Sequence, residues 1–255
     1  MTVVVAFLCT DGVVVAADSM LTPSMGGQGV GHHKGRKVCR VDGDQIFAFA
    51  GDQGLGARFQ IMAGGSHALA GQVGHPIDYG IALTTSLTQQ FHNTGANPAT
   101  VNAVVAFQHG ADSHCCMFEG AIQPRLLDIH HFYAALGSGK LSADPFLRYL
   151  VDVFCPGGAQ PTVRMATFLS AWAIQHVIDT NPGGVAGPIR MSVIERNAGG
   201  NAVARDIPSD EIDQHLQAME DAVQSLRDWA QALHNAGPQA RDAEPPPQAP
   251  NGGQA

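Results

Sequence analysis

Basic residues are scarce in this chain of 255 residues, with 14 Lys and Arg against 22 Asp and Glu and a formal net charge of −8. Because such a small number of cations neutralises a phosphate backbone poorly, we do not expect nucleic-acid binding. No apolar run approaches the roughly 18–20 residues of a membrane helix, and the start lacks the basic n-region of a signal peptide. We therefore expect a cytoplasmic protein with no membrane partner.

Cysteine is scarce too, and no two cysteines have Cys-x-x-Cys spacing: the five are Cys9, Cys39, Cys115, Cys116 and Cys155. This odd set favours reduced, mostly buried thiols over a disulfide framework or a zinc site. The pairs His32-His33 and His130-His131 lack the spacing of a helical metal site. We expect neither a metal nor an organic cofactor.

The clearest feature that is present is a hairpin near the start. Apolar runs at 3–9 and 13–17 flank Asp11-Gly12, a dipeptide typical of tight hairpin turns. Antiparallel pairing about this turn carries Asp18 to within about one residue of Thr2. A hydroxyl and a carboxylate are thereby predicted to lie at one strand end.

A second hairpin follows, with strands at 36–41 and 45–50 joined by Asp42-Gly43-Asp44. The same counting places Lys37 beside Ala50 and Gly51. If Met1 is removed, Thr2 carries both a nucleophilic hydroxyl and an α-amine that can take its proton. A neighbouring lysine would favour the neutral amine, a carboxylate would keep that lysine charged, and a backbone N–H would bind an oxyanion.

The rest of the chain alternates strands with pairs of helices. We predict a loop at 21–35, helices at 53–73, 77–93, 142–154 and 162–178, and strands at 100–107, 114–118, 125–136, 188–195 and 202–207. This order predicts an α+β fold in which two central sheets lie between two helical layers. It would form one domain over residues 1–207.

A further helix is predicted at 208–236, where apolar residues alternate by four and three, as at Ile212, Leu216 and Met219. Two interpretations stay open: the helix docks on its own domain, or it pairs with a neighbouring subunit. Residues 237–255, rich in Pro, Ala and Gln, are expected to be a disordered tail.

The segments containing these residues resemble the proteasome β-subunit superfamily of N-terminal-nucleophile (Ntn) hydrolases, and most of all its bacterial members. The similarity covers about residues 2–195 and includes Thr2 with its strand, the run from Asp11 to Asp18, Gly35-Arg36-Lys37-Val38, residues 46–51 and Leu136-Gly-Ser-Gly139. The resemblance implies a four-layer αββα sandwich and a subunit that needs no propeptide.

Carried over by position, the family's nucleophile falls on Thr2, its Asp–Lys pair on Asp18 and Lys37, and its oxyanion donor on Gly51. Its supporting serine falls on Ser138. Lys34 is the alternative lysine, but Lys37 has the matching context of a basic residue before it and an apolar residue after it. The resemblance further implies a substrate pocket at Leu21, Gly35 and Phe49, where the bulky ring of Phe49 would favour small substrate side chains.

The chain departs from the family pattern near Asp179. The family has an Asp followed three residues later by Ser, and both help to hold the N-terminus. Here Asp179 is followed by Pro182, so the serine's hydroxyl is missing. We expect Asp179 to orient the amine or Ser138.

The resemblance thus implies a threonine peptidase that cleaves peptides or unfolded proteins inside stacked homo-oligomeric rings of about 12 to 14 subunits. It leaves open whether an ATPase or adaptor delivers the substrate. Two alternatives are an Ntn amidohydrolase that does not act on peptides and a catalytically idle cage or scaffold.

Overall fold

The computed structural model describes residues 2–22, 24–25, 28–29, 31–181, 184–197 and 200–235. Over these residues the protein is mixed α and β, in agreement with the α+β class. The helices are α1 (Gln53–Gly65), α2 (His67–Ala70), α3 (Pro76–Asn93), α4 (Lys140–Phe154), α5 (Val163–Thr180) and α6 (Ser209–Asn235). The expected tail at 237–255 lies outside the described residues.

The strands comprise ten that form two sheets and four very short ones. In chain order they are β1 (Val4–Leu8), β2 (Gly12–Ala17), β3 (Met20–Leu21), β4 (Ser24–Met25), β5 (Gln28–Gly29), β6 (His33–Lys34), β7 (Val38–Val41), β8 (Gln45–Gly51), β9 (Val101–His109), β10 (Asp112–Glu119), β11 (Gln123–Leu126), β12 (Tyr133–Leu136), β13 (Arg190–Arg196) and β14 (Ala202–Asp206). The predicted loop at 21–35 thus contains two short ladders, β3 with β6 and β4 with β5.

The first sheet has the order β12-β1-β2-β13-β14. Its central hairpin pairs Val4 with Ala17 and Leu8 with Val13. The same register continues to Val3 opposite Asp18, so the prediction that Asp18 lies within one residue of Thr2 is confirmed. The valines of this hairpin are completely buried because both faces of the sheet are covered.

The second sheet has the order β11-β10-β9-β8-β7. Its hairpin pairs Val38 with Ala48, which extends to Lys37 opposite Phe49. The prediction of Lys37 beside Ala50 and Gly51 is therefore wrong by one residue or more. The turn itself is the predicted one: residues 42–44 stay outside the ladder, with φ +72° at Gly43 and φ +54° at Asp44. Val41 opposite Gln45 then places Lys37 opposite Phe49, so the prediction counted too far along β8.

Among the predicted elements whose extent differs from that observed, three are informative. The helix predicted at 53–73 is broken at Ser66, just after Gly64 and Gly65, into α1 and α2. The strand predicted at 125–136 is two strands, β11 and β12, which belong to different sheets. Helix α4 begins two residues before Ser142, whose hydroxyl accepts a hydrogen bond from the Asn181 amide instead of capping the helix.

Buried residues form three clusters related to the two sheets. Odd-numbered residues of β1, such as Val5, pack with α4 and α5, whereas even-numbered ones such as Ala6 meet residues of the second sheet. On β8, Ala48 faces the first sheet and Phe47 packs with α1 and α3. This alternation follows from the period of two in a strand.

The long helix α6 packs on α5 through its first half, with Ile212 buried and Leu216 and Met219 partly buried. This supports docking on its own domain for that half. Among the described helices, none is both long enough and apolar enough to cross a membrane.

Replacing Tyr79 by Phe tests how α3 is held to the second sheet. The buried Tyr79 hydroxyl lies 3.0 Å from Gln45 Oε1 and 3.2 Å from the Ala63 carbonyl oxygen, and burial raises the pKa of Tyr79 to about 12. The variant leaves the buried Gln45 without this donor, so we expect unfolding in urea to show a loss of about 1–2 kcal/mol. Tyr149→Phe, at a side chain that is 57% exposed, should change stability by less than about 0.5 kcal/mol. Equal losses in the two variants would contradict the assignment.

Candidate active site at the start of the first strand

Thr2 is held through its main chain by the loop that follows β12. Its N–H donates to Ser138 Oγ at 3.1 Å, and its carbonyl oxygen accepts the Gly139 N–H at 2.9 Å. Gly137 permits this close approach because its φ is +85° and a Cβ atom there would lie 2.3 Å from the Thr2 oxygen. The backbone of Thr2 is thereby fixed on the side of Ser138.

A buried ion pair lies next to Thr2. Lys37 Nζ donates to both oxygens of Asp18 at 2.8 Å, and the two side chains are 1% and 0% exposed. Asp18 also accepts the N–H of Val3 and the N–H of Met20, each at 3.0 Å. One carboxylate therefore links the lysine to the residue that directly follows Thr2.

Burial lowers the pKa of Lys37 from its ordinary value, and the Asp18 carboxylate opposes that effect. A lysine this deeply buried keeps its charge only because the carboxylate contacts it directly. Lys34, the alternative lysine, is exposed on β6. The geometry thus agrees with the choice of Lys37.

Gly51 ends β8 with φ +110°, in a conformation that favours glycine, and a Cβ there would lie 2.0 Å from the Thr100 oxygen. The Phe49 N–H donates to the Lys37 carbonyl oxygen at 3.2 Å. Because N–H directions alternate along a strand, the Gly51 N–H points to the same side as that of Phe49. The Gly51 N–H is therefore directed away from β9, to the side of β8 on which β7 lies, at a level that β7 does not reach.

The three predicted pocket residues separate into two groups. Leu21 and Gly35 are in contact, since a Cβ on Gly35 would lie 2.0 Å from a methyl group of Leu21. Phe49 is buried, and a Cβ on Gly56 of α1 would lie 2.2 Å from its ring. Phe49 thus packs between β8 and α1. Leu21 and Gly35 lie together on the part of the chain between β2 and β7.

The structure does not bring Asp179 to this cluster, which corrects the prediction for that residue. Its side chain is exposed on α5, accepts a hydrogen bond from Gln175 at 2.7 Å and lines a cavity beside α6. Gln175 lies four residues before Asp179 on the same face of α5, so the Asp179 side chain bonds within its own helix. The order of residues in the sequence does not show on which side of the helix Asp179 lies. Pro182 lies outside the described residues.

Sequence reasoning missed two residues that support the site. Ser19 follows the catalytic candidate Asp18, and its hydroxyl donates to the Pro188 carbonyl oxygen at 2.5 Å while its own carbonyl accepts the Gly35 N–H. Gly139 supplies the donor to Thr2. The glycines around Ser138 were the available signal, whereas nothing in the sequence indicated Ser19.

The cysteines and the potential metal-ligating side chains bear on what else the site could hold. All five cysteines are buried, and burial raises the pKa of Cys39 to about 11 and that of Cys116 to about 12. Within the ranges that the structure describes, no group of three or more His, Cys, Asp or Glu side chains is placed to hold a metal ion. The groups that the cluster does present are the hydroxyl of Thr2, the ammonium of Lys37, the carboxylate of Asp18 and backbone donors.

Comparison with models of protein families gave no match, and no curated protein was found to be significantly similar.

Replacing only one member of the Asp18–Lys37 ion pair should destabilise the folded protein. In Asp18→Asn an amide faces the buried ammonium, and in Lys37→Met the buried carboxylate loses its counterion. Each should lower the free energy of unfolding by about 3–5 kcal/mol in urea titrations. The double variant Asp18→Asn/Lys37→Met should lose less than either single variant, because no buried charge then remains.

The exposed pair of Arg125 and Glu119, 3.7 Å apart, is the matched control. Glu119→Gln should cost less than about 1 kcal/mol. Additive losses in the double variant at Asp18 and Lys37 would show that the two charges do not depend on each other.

Gly137→Ala tests the close approach to Thr2. Its Cβ meets the Thr2 oxygen, whereas Gly95, with φ +65°, has no atom within 4 Å of a built Cβ. Gly95→Ala should cost about 1 kcal/mol through backbone strain alone, and Gly137→Ala about 1–3 kcal/mol more through overpacking. Thermal and urea unfolding of the two variants measure the difference, and equal costs would rule out the contact.

Proposed function

We propose that this protein is an N-terminal threonine peptidase of the proteasome β-subunit type, with Thr2 as its nucleophile. The observation that carries the proposal is the buried Lys37–Asp18 pair, bonded directly to the residue after Thr2. Burying two charges is costly, and a purely structural contact at this strand end could be made by apolar residues. A role in tuning the chemistry of Thr2 accounts for that cost.

The fold is proposed to be the four-layer αββα sandwich of that superfamily. The three core clusters support this proposal: one pairs the first sheet with α4 and α5, one lies between the sheets, and one pairs the second sheet with α1 and α3. On this interpretation the domain spans 1–207, and α6 is an addition to it.

The proposed reaction begins with removal of Met1, which converts the Thr2 amide nitrogen into an α-amine. Thr2 Oγ attacks the substrate carbonyl carbon, and its proton passes to the amine. The tetrahedral oxyanion accepts the Gly51 N–H. The leaving amine takes the proton and departs, and water then hydrolyses the ester on Thr2 to release the acid and restore the hydroxyl.

Three groups position and tune the amine. The Ser138 hydroxyl, 3.1 Å from the Thr2 nitrogen, can accept a hydrogen bond from it. The Lys37 ammonium disfavours a second positive charge nearby, so it favours the neutral amine that serves as base. Asp18 keeps that ammonium charged and fixed.

The proposed substrates are peptides or unfolded proteins, and Leu21 and Gly35 border the proposed pocket. Phe49, packed against Gly56, leaves little depth below the strand, which favours small side chains at the cleaved bond. By resemblance the subunits form stacked homo-oligomeric rings in the cytoplasm. Any ATPase or adaptor partner is a separate question.

Thr2→Ala should abolish hydrolysis of blocked fluorogenic peptides, with a loss of at least about 10³-fold in kcat/KM, because the nucleophile is gone. Alanine is also small, so removal of Met1 should still occur, and the intact mass of both proteins should lack one methionine. Thr2→Ser should keep measurable activity. Thr85→Ala, at an exposed hydroxyl on α3, is the control and should keep full activity.

Retention of Met1 in the intact mass would block the amine and defeat the mechanism. Hydrolysis of small amides but not of peptides, still dependent on Thr2, would indicate a different amidohydrolase on the same nucleophile. A trimmed N-terminus without any turnover, or without labelling by peptide epoxyketones, would favour an idle cage.

A further inference from the structure

The second half of α6 carries an apolar stripe that α5 leaves uncovered. Ile212 is buried and Met219 packs on the cluster that includes α5. Farther along, Leu226 is 45% exposed and Ala230 is exposed, although both continue the same helical spacing. Residues 223–235 extend about 18 Å at 1.5 Å per residue. A heptad stripe of this kind is completed by a second helix.

A cavity of about 590 Å³ lies where the middle of α6 faces α5. Its walls include the apolar side chains of Trp172, Met219 and Val223 and the acidic ones of Asp179, Glu220 and Asp221. One basic residue, Arg227, lines it too, together with His176, Gln217 and Gln224, so acidic side chains outnumber the arginine. An apolar segment with basic residues would fit these walls. Such a segment is present in the chain itself, at the end of α6.

The charges along α6 are ordered for pairing with a copy of itself. Each heptad of α6 has two apolar positions, and an acidic or basic residue directly follows the second one. These residues are Asp213, Glu220, Arg227 and His234, so two acidic residues precede two basic ones. In an antiparallel pair of identical helices these positions face each other. About an axis near Val223, Glu220 meets the partner's Arg227, and Asp213 meets the partner's His234.

The apolar positions match about the same axis. Val223 lies level with the partner's Leu226, and Met219 with the partner's Ala230. Residues 226–234 of each copy then reach the level of the other copy's cavity. A single two-fold arrangement therefore covers the apolar stripe, places a segment of one copy beside the cavity of the other and pairs the opposite charges.

We propose that two copies of this chain dock through antiparallel α6 helices, each placing residues 226–234 in the cavity between α5 and α6 of the other. Self-pairing is favoured over an unrelated partner because the order of charges is complementary to itself and needs no other sequence. The contact is one interface of the homo-oligomer proposed above, and it does not rest on the peptidase chemistry.

Charge exchange tests this contact by sedimentation velocity over a concentration series at about 0.1 M salt. Glu220→Arg or Arg227→Glu turns two symmetric attractions into repulsions, so each should raise the concentration of half-association about tenfold or more. The double variant should return within about threefold of the wild type. Glu220 and Arg227 are seven residues apart, so they do not form an i,i+4 pair within one helix.

Asp228→Arg is the matched control, because it alters charge on the same helical half at a position away from the seam, and it should leave association within about threefold. A chain ending after Asn235 should respond to Glu220→Arg as the full chain does. The same series in Thr2→Ala should be unchanged, which separates this proposal from catalysis. Circular dichroism checks that each variant is folded.

The proposal is overturned if the wild type does not self-associate, if Glu220→Arg leaves association unchanged, or if the double variant fails to recover. It is equally overturned if the shortened chain no longer responds to Glu220→Arg, since residues 236–255 would then be the occupant of the cavity.

Discussion

The contact between Asp18 and Lys37 is the constraint on which the rest of the site depends. A charge buried at 0–1% exposure is tolerable only if its partners are in place. The two oxygens of Asp18 have donors from three chain segments, at Val3, Met20 and Lys37. The pair therefore fixes the start of β1, the turn out of β2 and the approach to β7 relative to one another. Because β1 and β7 belong to different sheets, a single carboxylate also joins the two sheets at this end.

The way the sheets pack explains why this end is so closely filled. Between the sheets the first hairpin and β8 present small side chains such as Ala6, Ala17 and Ala50, which allow the layers to approach closely. The larger residues of the same strands, such as Phe7 and Phe47, face the helices on the outer sides. At this end Lys37, which precedes β7 of the second sheet, reaches Asp18, which follows β2 of the first.

Much of this arrangement could be predicted from local sequence, and the failures have local causes too. Asp11-Gly12 between β-branched runs set the register that placed Asp18, because turn chemistry and strand preference agree there. The second turn lies where it is predicted, at 42–44, and the error arose in counting the residue pairs that follow from it, which placed Lys37 one or two residues too far along β8. The position of Asp179 depends on how the end of α5 is turned toward α6, which a linear motif does not encode. Ser19 acts through a segment some 170 residues away, a tertiary contact without any sequence signal.

Strand β1 has a consequence for the order of events during synthesis. It lies between β2 and β12, and its partner residues on β12 are translated about 130 residues after it. At roughly 5–20 residues per second, β1 keeps an open edge for on the order of 7–25 seconds before β12 emerges. β1 therefore cannot take its central place in the first sheet until the chain has been made as far as β12, and the Gly139 N–H that holds the Thr2 carbonyl oxygen is added only after that.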